Sequence, residues 1–576
     1  MIKILKEIMG DIAESMWKHY VLWSVILVAV CCFLNMELFW IFNQRFFLSD
    51  TDGWMRAARV LDWMDNFQWG ERIFPYTNPP YGFVLHWTRV CDVIWALLAL
   101  PFLAIFPLKG AVFWGGMFFS PLFFIFTMIA LLWGLKPYLP KVSDAAQKKI
   151  FSIVVLFLLY YLNKIDNTFA FHRPDHHSLM CFVFSFNIAA ILLDNIEQKF
   201  KRIFFAGVFS GIGMWASSAI EGLFVVALVL LVLVINWAFY KRSILSAVYF
   251  ALGLFVAVGF AWLINPPLNG WWEVDINRLS IVHVVLTGLI LASFVLVHVL
   301  KLQKTMAKIA VLSILAAVSA GLVVLIFGAD KVLVSIYDPQ VYKIFVSRIN
   351  EMKPIPFVWI RILSVIAGFL FLAAFLYKDR LKSLYLTDMM IMLLVTLVVS
   401  VCIMRFFPYY NIILGVMMIL ALYRVLAYPY KTWLGKSFKI VYLWAPVIYL
   451  ATFLPLSMED RLPPMRGPVL VDLFQSPELL FKQGVDAVGS PYHTNVEGIL
   501  DNYKMWYSTD EEELKELIKK HNVQTVYMTF TIFSDFYVNP LRYQDRFYSK
   551  VMLNEDIYPW LERVTDHYYR VNYEKF

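Results

Sequence analysis

The chain has 576 residues, of which 60% are hydrophobic, 17% aromatic and only 16% charged. A soluble protein of this length carries more charge, so the composition excludes a cytosolic globular enzyme and points to a polytopic membrane protein. The net charge of +8 is what Lys- and Arg-rich cytoplasmic loops give such a protein, and it needs no nucleic acid to explain it.

Apolar runs near the roughly 20 residues that cross a bilayer recur along the chain. In order they are Val21–Ile41, Ala111–Leu135, Ile150–Ile165, Ser178–Leu193, Ile203–Ser218, Gly222–Phe239, Ile244–Ile264, Ser280–Leu300, Ile309–Phe327, Pro356–Tyr377, Leu386–Met404, Tyr410–Leu426 and Ile440–Leu456. The expected fold is therefore an α-helical polytopic membrane protein of about 13 transmembrane helices, with a small C-terminal α/β domain outside the membrane. The first residues mix charged and apolar side chains, so no cleavable signal peptide is expected. The segment Asp92–Pro107 is short, follows Pro79-Pro80 and contains Trp95 and Pro101. It reads as a pair of interfacial helices within an external loop over 44–110, because a span here would spoil the later charge bias.

With that choice, Lys136–Lys149, Asp194–Arg202, Tyr240–Ser243, Lys301–Lys308, Lys378–Tyr385 and Ala427–Lys439 share one side. Each carries Lys or Arg, so that side is the cytoplasm. The membrane portion is 1–456; residues 457–576 form the second unit. There Asp510–Lys520 reads as an amphipathic helix capped by Ser508 or Thr509, and Thr525-Val526-Tyr527-Met528 as a buried strand. The cysteines Cys31, Cys32, Cys91, Cys181 and Cys402 lie in or beside apolar runs. They indicate neither a disulfide framework nor a zinc site.

Three polar islands fall on the external side: Ser49-Asp50-Thr51-Asp52-Gly53, Arg173-Pro174-Asp175-His176-His177 and Asn350-Glu351-Met352-Lys353-Pro354. Ionisable groups at the edge of a lipid-embedded segment are costly unless they bind or react with something. Asp175 and His177, two apart, both reach one ion from a loop or helix end. Carboxylates with one imidazole suit Mn²⁺ or Mg²⁺ better than structural zinc. Asp52 is a third ligand or the catalytic carboxylate, and Glu351 a fourth candidate. The competing reading is that Asp175 merely caps the helix after it, an ordinary place for Asp; two further acidic islands on the same face favour a site. Arg405, in Met404-Arg405-Phe406-Phe407-Pro408 at the outer end of a span, suits the phosphate of a lipid headgroup. Alone, it reads sooner as a snorkelling arginine that marks the interface, and Arg348 shares that ambiguity with less support for a site.

These elements, in this order, resemble a GT-C glycosyltransferase, and most the catalytic subunit of oligosaccharyltransferase. Ser49 to Arg59 resembles that family's first external loop, and the match favours Asp52 over Asp50 as the catalytic acid. Asp175-His176-His177 resembles its Asp-X-His metal motif. Arg348-Ile349-Asn350-Glu351 resembles its Thr/Ser-Ile/Val-X-Glu motif, although Arg348 stands at the Thr/Ser position. Arg405 matches the arginine that contacts the donor diphosphate. The family's Trp-Trp-Asp-Tyr-Gly acceptor signature is absent after the last span; Trp271-Trp272-Glu273 lies in an earlier external loop and reads as an interfacial aromatic anchor.

The resemblance implies an inverting transferase at the external face of a bacterial inner membrane, with its C-terminal domain in the periplasm. Asp52, Asp175, His177 and Glu351 would hold Mn²⁺ or Mg²⁺, and Arg405 the donor phosphate. Asp50, His176, Arg348 and His493 are accessory candidates, His493 because Tyr492-His493-Thr494-Asn495 suits the acceptor path. The donor would be a polyprenyl-(di)phosphate-linked sugar or oligosaccharide, the acceptor a protein, lipid or glycan. Two alternatives remain: transfer of a single sugar from a polyprenyl monophosphate, and a transporter of lipid-linked sugars. The latter sits poorly with charges at one face and no internal repeat.

Overall fold

The computed structural model describes residues 2–43, 47–70, 73–138, 144–163, 165, 168–332, 338–354, 384–427, 463–528, 543–553, 558–565 and 567–576. Helices dominate, as expected of backbone that must satisfy its own hydrogen bonds in lipid. In chain order the first thirteen are α1 (Ile2–Lys18), α2 (Tyr20–Asn43), α3 (Thr51–Asn66), α4 (Arg89–Ala99), α5 (Leu108–Met117), α6 (Phe119–Leu135), α7 (Asp144–Asn163), α8 (His176–Ile196), α9 (Phe200–Ala216), α10 (Leu223–Phe239), α11 (Leu245–Ile264), α12 (Ile281–Leu300) and α13 (Thr305–Phe327). Helices at Leu384–Cys402 and Phe407–Ala427 follow.

Among the described residues, seven helices are long and apolar enough to cross a membrane, or eight if the bent pair Gly10–Lys18 and Tyr20–Leu34 counts as one span. Two of the thirteen expected spans, 356–377 and 440–456, lie outside the described residues. Others are shorter or more polar than a simple span. Helix α9 has 17 residues, and α7 opens on Asp144, Lys148 and Lys149. The expected span at Ala111–Leu135 instead begins at Leu108, where α5 runs into α6 across Phe118. The segment Arg89–Ala104 forms only an 11-residue helix and a short 3₁₀ turn, too little to cross a bilayer.

Small residues let the bundle close tightly. A Cβ on Gly207 of α9 would sit 2.0 Å from the Phe250 carbonyl oxygen, and one on Gly253 of α11 2.1 Å from that of Phe204. Two helices are thus in backbone contact there, the packing lipid-embedded helices use when no hydrophobic effect drives them together.

The C-terminal unit is a four-stranded sheet with helices. Strands β1 (Val469–Leu470), β2 (Thr525–Tyr527), β3 (Leu561–Arg563) and β4 (Tyr568–Val571) run in the order β1-β2-β4-β3. The β1–β2 pair is parallel, with Val469 beside Thr525; the other two pairs are antiparallel. The expected strand at 525–528 and helix at 510–520 are present, the helix spanning Glu511–Lys520. Its cap is a correction: Asp510, not Ser508 or Thr509, accepts from the Glu512 and Glu513 backbone N–H groups. Three neighbouring residues could each cap, and the carboxylate has the stronger attraction for a helix N-terminus.

The two units are closely joined. Ala487 exchanges backbone hydrogen bonds with the external loop, its N–H donating to the Tyr76 carbonyl (3.1 Å) and its carbonyl accepting from Asn78 (3.0 Å). Buried His521 places Nδ1 2.7 Å from the Pro79 carbonyl oxygen. Val341, Phe345 and Val346, which precede Glu351, are buried in the same apolar core as Leu470, Trp506, Val526 and Tyr569. The core of the C-terminal unit therefore draws on residues well before 457, a long-range partnership that no local pattern announces.

Candidate active site

The first two islands meet at the start of α3. Asp50 caps that helix, accepting from Gly53 N–H at 2.6 Å, and its other oxygen accepts from Arg173 Nε at 2.9 Å. Gly53 leaves room for the meeting: a Cβ there would lie 2.9 Å from Asp50 Oδ1 and 3.2 Å from the Pro174 ring. Asp50 is thus committed to structure. Asp52, in the first turn of α3, accepts instead from the Tyr492 hydroxyl at 3.2 Å. Both carboxyls line one open cleft together with Asp175, His176, Glu351 and Arg405.

Asp175 stands at the N-cap position of α8 but makes no capping hydrogen bond. The carboxylate is turned to its neighbours rather than to the helix. Asp175, His176 and His177 are buried, and one ligand atom from each lies within 4.8 Å of the others. His176 Nδ1 is 2.6 Å from Asp175 Oδ1, yet neither atom has a hydrogen-bond partner in proper alignment. His177 Nε2 is 3.4 Å from Asp175 Oδ2. Carboxylate and imidazole atoms that converge without satisfying one another are the donor set a hard divalent cation completes. The residues present therefore fit a metal. They also raise His176 from an accessory to a full member of the cluster.

One residue escaped the sequence reading. Glu221 lies in the π-helical turn Ser218–Gly222 between α9 and α10 and is fully buried. Its Oε1 is 2.9 Å from His177 Nδ1 and accepts from Arg405 Nε at 3.1 Å; its Oε2 is 3.6 Å from His176 Nε2. It orients both the ring and the guanidinium, as carboxylates behind ligating histidines do. A signal was available: Glu221 is a lone acid between two apolar runs, in a join that the loop-charge parity expects on the external side.

Glu351 sits in the short turn Asn350–Met352, and is the most exposed acid of the group. It lies 3.8 Å from His177 Nε2, 3.6 Å from Arg405 Nη1 and 3.7 Å from Arg173 Nη2. The Met404 N–H donates to the Lys353 carbonyl, which ties the Glu351 turn to the Arg405 turn. Arg405 also approaches His176 Nε2 at 3.1 Å. The Arg348 side chain lies outside the described residues. His493 lines the cleft, its ring 4.5 Å from that of His86, and Nε2 is 3.3 Å from Asn277 Oδ1. Trp271 and Trp272 are exposed and away from the cleft's lining.

Electrostatics separate the acids. Burial, with like charge from Asp175, Asp50 and Glu351, pushes the Asp52 carboxyl up to about 7. Burial also works against charge on Asp175, but the adjoining His177 and His176 rings and Arg173 hold its carboxyl well below the usual range. Burial lowers His493 to about 4, leaving that ring neutral at pH 7.

No family model matches the sequence, and no curated protein matches it. Solved structures do. The archaeal oligosaccharyltransferase of Archaeoglobus fulgidus, in complex with an inhibitory peptide and a dolichol-phosphate, superposes with a TM-score of 0.62 at 13% identity, covering 89% of this chain and 69% of that one. The same enzyme tethered to an acceptor peptide containing an NVT sequon gives 0.61 at 13% identity, with the same coverage. Its complex with Zn and sulfate gives 0.59 at 12%, covering 87% of this chain and 67% of that one. At such identity the likeness is one of fold. These neighbours are GT-C membrane glycosyltransferases, and this chain takes their fold.

Proposed function

We propose that the protein is an inverting, metal-dependent glycosyltransferase that takes its sugar from a polyprenyl-linked phosphate or diphosphate. The observation that carries this reading is the gathering of Asp52, Asp175, His177, Glu351 and Arg405 about one open cleft, at the ends of apolar helices. The donor's prenyl chain lies along the lipid-facing helices, and its headgroup enters the cleft from the external surface, the periplasm of a bacterial inner membrane. Asp175, His176 and His177 would hold the metal, Mn²⁺ or Mg²⁺, and Asp52 and Glu351 are the further carboxylates that could join them. A divalent cation supplies positive charge to the departing phosphate.

The chain's own groups do the remaining work. Glu221 orients the Arg405 guanidinium, whose planar fork binds phosphate oxygens and favours the charge that grows on them. Asp52 orients the acceptor nucleophile and receives its proton; a carboxyl near 7 is suited to that exchange. The acceptor oxygen or nitrogen attacks the anomeric carbon opposite the phosphate, which inverts that centre.

The test uses purified protein, lipid-linked sugars extracted from its host, and mass spectrometry of every molecule that gains mass when Mn²⁺ is added. The expectation is a metal-dependent gain that Asp52→Ala and Asp175→Ala each abolish while remaining folded. Wild-type turnover in either variant would sink the reading. A gain on protein marks oligosaccharyltransferase-like action; a gain only on lipid or glycan favours the single-sugar reading, which the missing acceptor signature supports. Bound donor with no transfer, and uptake of labelled donor into proteoliposomes, would favour a transporter.

A further inference from the structure

The sequence lacks a Trp-Trp-Asp-Tyr-Gly run, and part of the cleft is lined instead by Pro491, Tyr492 and His493 of the turn that begins at Ser490. The turn is firmly seated. Tyr492 N–H donates to the Ser490 carbonyl at 2.8 Å, Asn495 N–H to the Tyr492 carbonyl at 2.7 Å, and Asn495 Nδ2 to Ser490 Oγ at 3.0 Å. Three residues before the turn, Ala487 is bonded to the external loop. The Tyr492 ring is 3% exposed, stacked on Phe83 (centroids 6.3 Å, planes at 12°) and met edge-on by Trp87 at 4.9 Å. A tyrosine so packed has little rotamer freedom left, so its hydroxyl is delivered to a fixed point.

That point is Asp52. The single hydroxyl hydrogen has two acceptors in reach, Asp52 Oδ1 at 3.2 Å and the Thr51 carbonyl at 3.4 Å. The nearer and charged one is favoured, because hydrogen bonds to an ionised acceptor are stronger. The other acids take their side-chain contacts from Arg or His: Asp50 from Arg173, Asp175 from both histidines, Glu221 and Glu351 from Arg405. Asp52 is met by a neutral side chain, and that side chain comes from the C-terminal unit.

We propose that Tyr492 is a positioning residue for Asp52: its hydroxyl holds Oδ1 and turns Oδ2 to the acceptor, so the C-terminal unit completes the reaction centre. This rests on the glycosyltransferase reading above. In the step it serves, the acceptor hydroxyl or amide gives its proton to Asp52 Oδ2. Its oxygen or nitrogen forms the bond to the anomeric carbon, and the bond from that carbon to the phosphate oxygen breaks, the electron pair leaving with the polyprenyl phosphate. One held oxygen and one free oxygen give the acceptor a defined place to surrender that proton. The plainer account is that Tyr492 fills space and its hydroxyl finds the nearest acceptor; removal of the hydroxyl alone distinguishes the two.

Tyr492→Phe keeps the ring, the stack on Phe83 and the edge contact with Trp87. Its melting temperature in detergent should match wild type. Its kcat should fall about tenfold, the scale of one charge-assisted hydrogen bond, with acceptor KM raised and donor KM unchanged. A wild-type kcat in this variant overturns the proposal, and so does a donor KM that changes as much as kcat, since this marks a deformed cleft. A second readout needs no turnover. With 3-fluorotyrosine at position 492, Asp52→Asn should move the ¹⁹F resonance, and an unmoved resonance overturns the contact. A wild-type protein that moves no sugar defeats the glycosyltransferase reading alone, because the resonance still tests Tyr492.

Discussion

Helix α3 carries two clusters of charge, and they are built differently. At its start Asp50 and Asp52 face the open cleft. One turn further on, Arg56 and Arg59 meet Arg89 around the single carboxylate of Asp92, and all four are buried. In that second cluster most donors are spent on protein. Arg59 donates to the Trp87 carbonyl at 2.6 Å; Arg89 donates to Gly70 at 3.0 Å and to Trp69 at 3.3 Å. Arg56 lies 4.3 Å above the Trp87 ring, where cation–π attraction serves it, although its Nε and Nη2 make no hydrogen bond. The arginine cluster thus locks α3 to α4 and to the segment around Trp87. The cleft leaves Asp175 Oδ1, His176 Nδ1 and Glu221 Oε2 buried without aligned partners. The arginine cluster is sealed within protein, whereas Asp52, Asp175, His176 and Glu351 line an open cleft that a ligand can enter.

The sharpest way to break this contrast is to remove a charge from each cluster. Asp175→Ala should lower transfer by more than about a thousandfold at unchanged melting temperature, and Glu221→Gln by about 10–100-fold, the usual loss when a residue behind a metal ligand is changed. Both are read by sugar transfer alongside thermal unfolding in detergent. Asp92→Asn should do the reverse. Leaving three buried guanidiniums without a counter-charge costs about 3–5 kcal/mol, so the melting temperature falls steeply, while protein that stays folded keeps its turnover. Stability of Asp92→Asn equal to wild type would end the distinction.

A smaller effect is expected from pH. Asp52 has its folded-state value raised to about 7, against about 3.9 in an unfolded chain. Between these values the unfolded chain gives up this proton and the folded protein keeps it. The stability associated with Asp52 is therefore full below pH 4, falls as pH rises toward 7, and levels off above. Melting curves of metal-free protein should show that slope, and Asp52→Asn should flatten its share of it. Smallest of all, Asp510→Ala removes a helix cap from the C-terminal unit, costs about 1 kcal/mol, and leaves transfer untouched.

Much of the site was legible because lipid makes ionisable residues conspicuous. Asp52, Asp175, Glu351 and Arg405 each interrupt or end an apolar run, and loop-charge parity placed them on one side before any contact was known. The same arithmetic held Glu221, but its turn is so short that it read as a mere join between spans. His176 stood only as an accessory candidate, because the spacing of two pairs Asp175 with His177 at a loop or helix end. In the turn at the head of α8 both rings instead come round to the carboxylate. The helices of the bundle followed from hydropathy, whereas the seating of Tyr492 on Asp52 joins residues 440 apart and has no local signal.

Glu351 follows a segment whose apolar side chains, Val341, Phe345 and Val346, are sealed inside the C-terminal core. Mechanically, one wall of the cleft therefore belongs to the C-terminal unit, although its chain position assigns it to the bundle. Whatever lifts that unit away carries the glutamate and Tyr492 off together, and the cleft comes apart while the bundle stays whole. If the proposed transfer takes place in this cleft, heat should accordingly act in two stages, with transfer lost at a lower temperature than the helices.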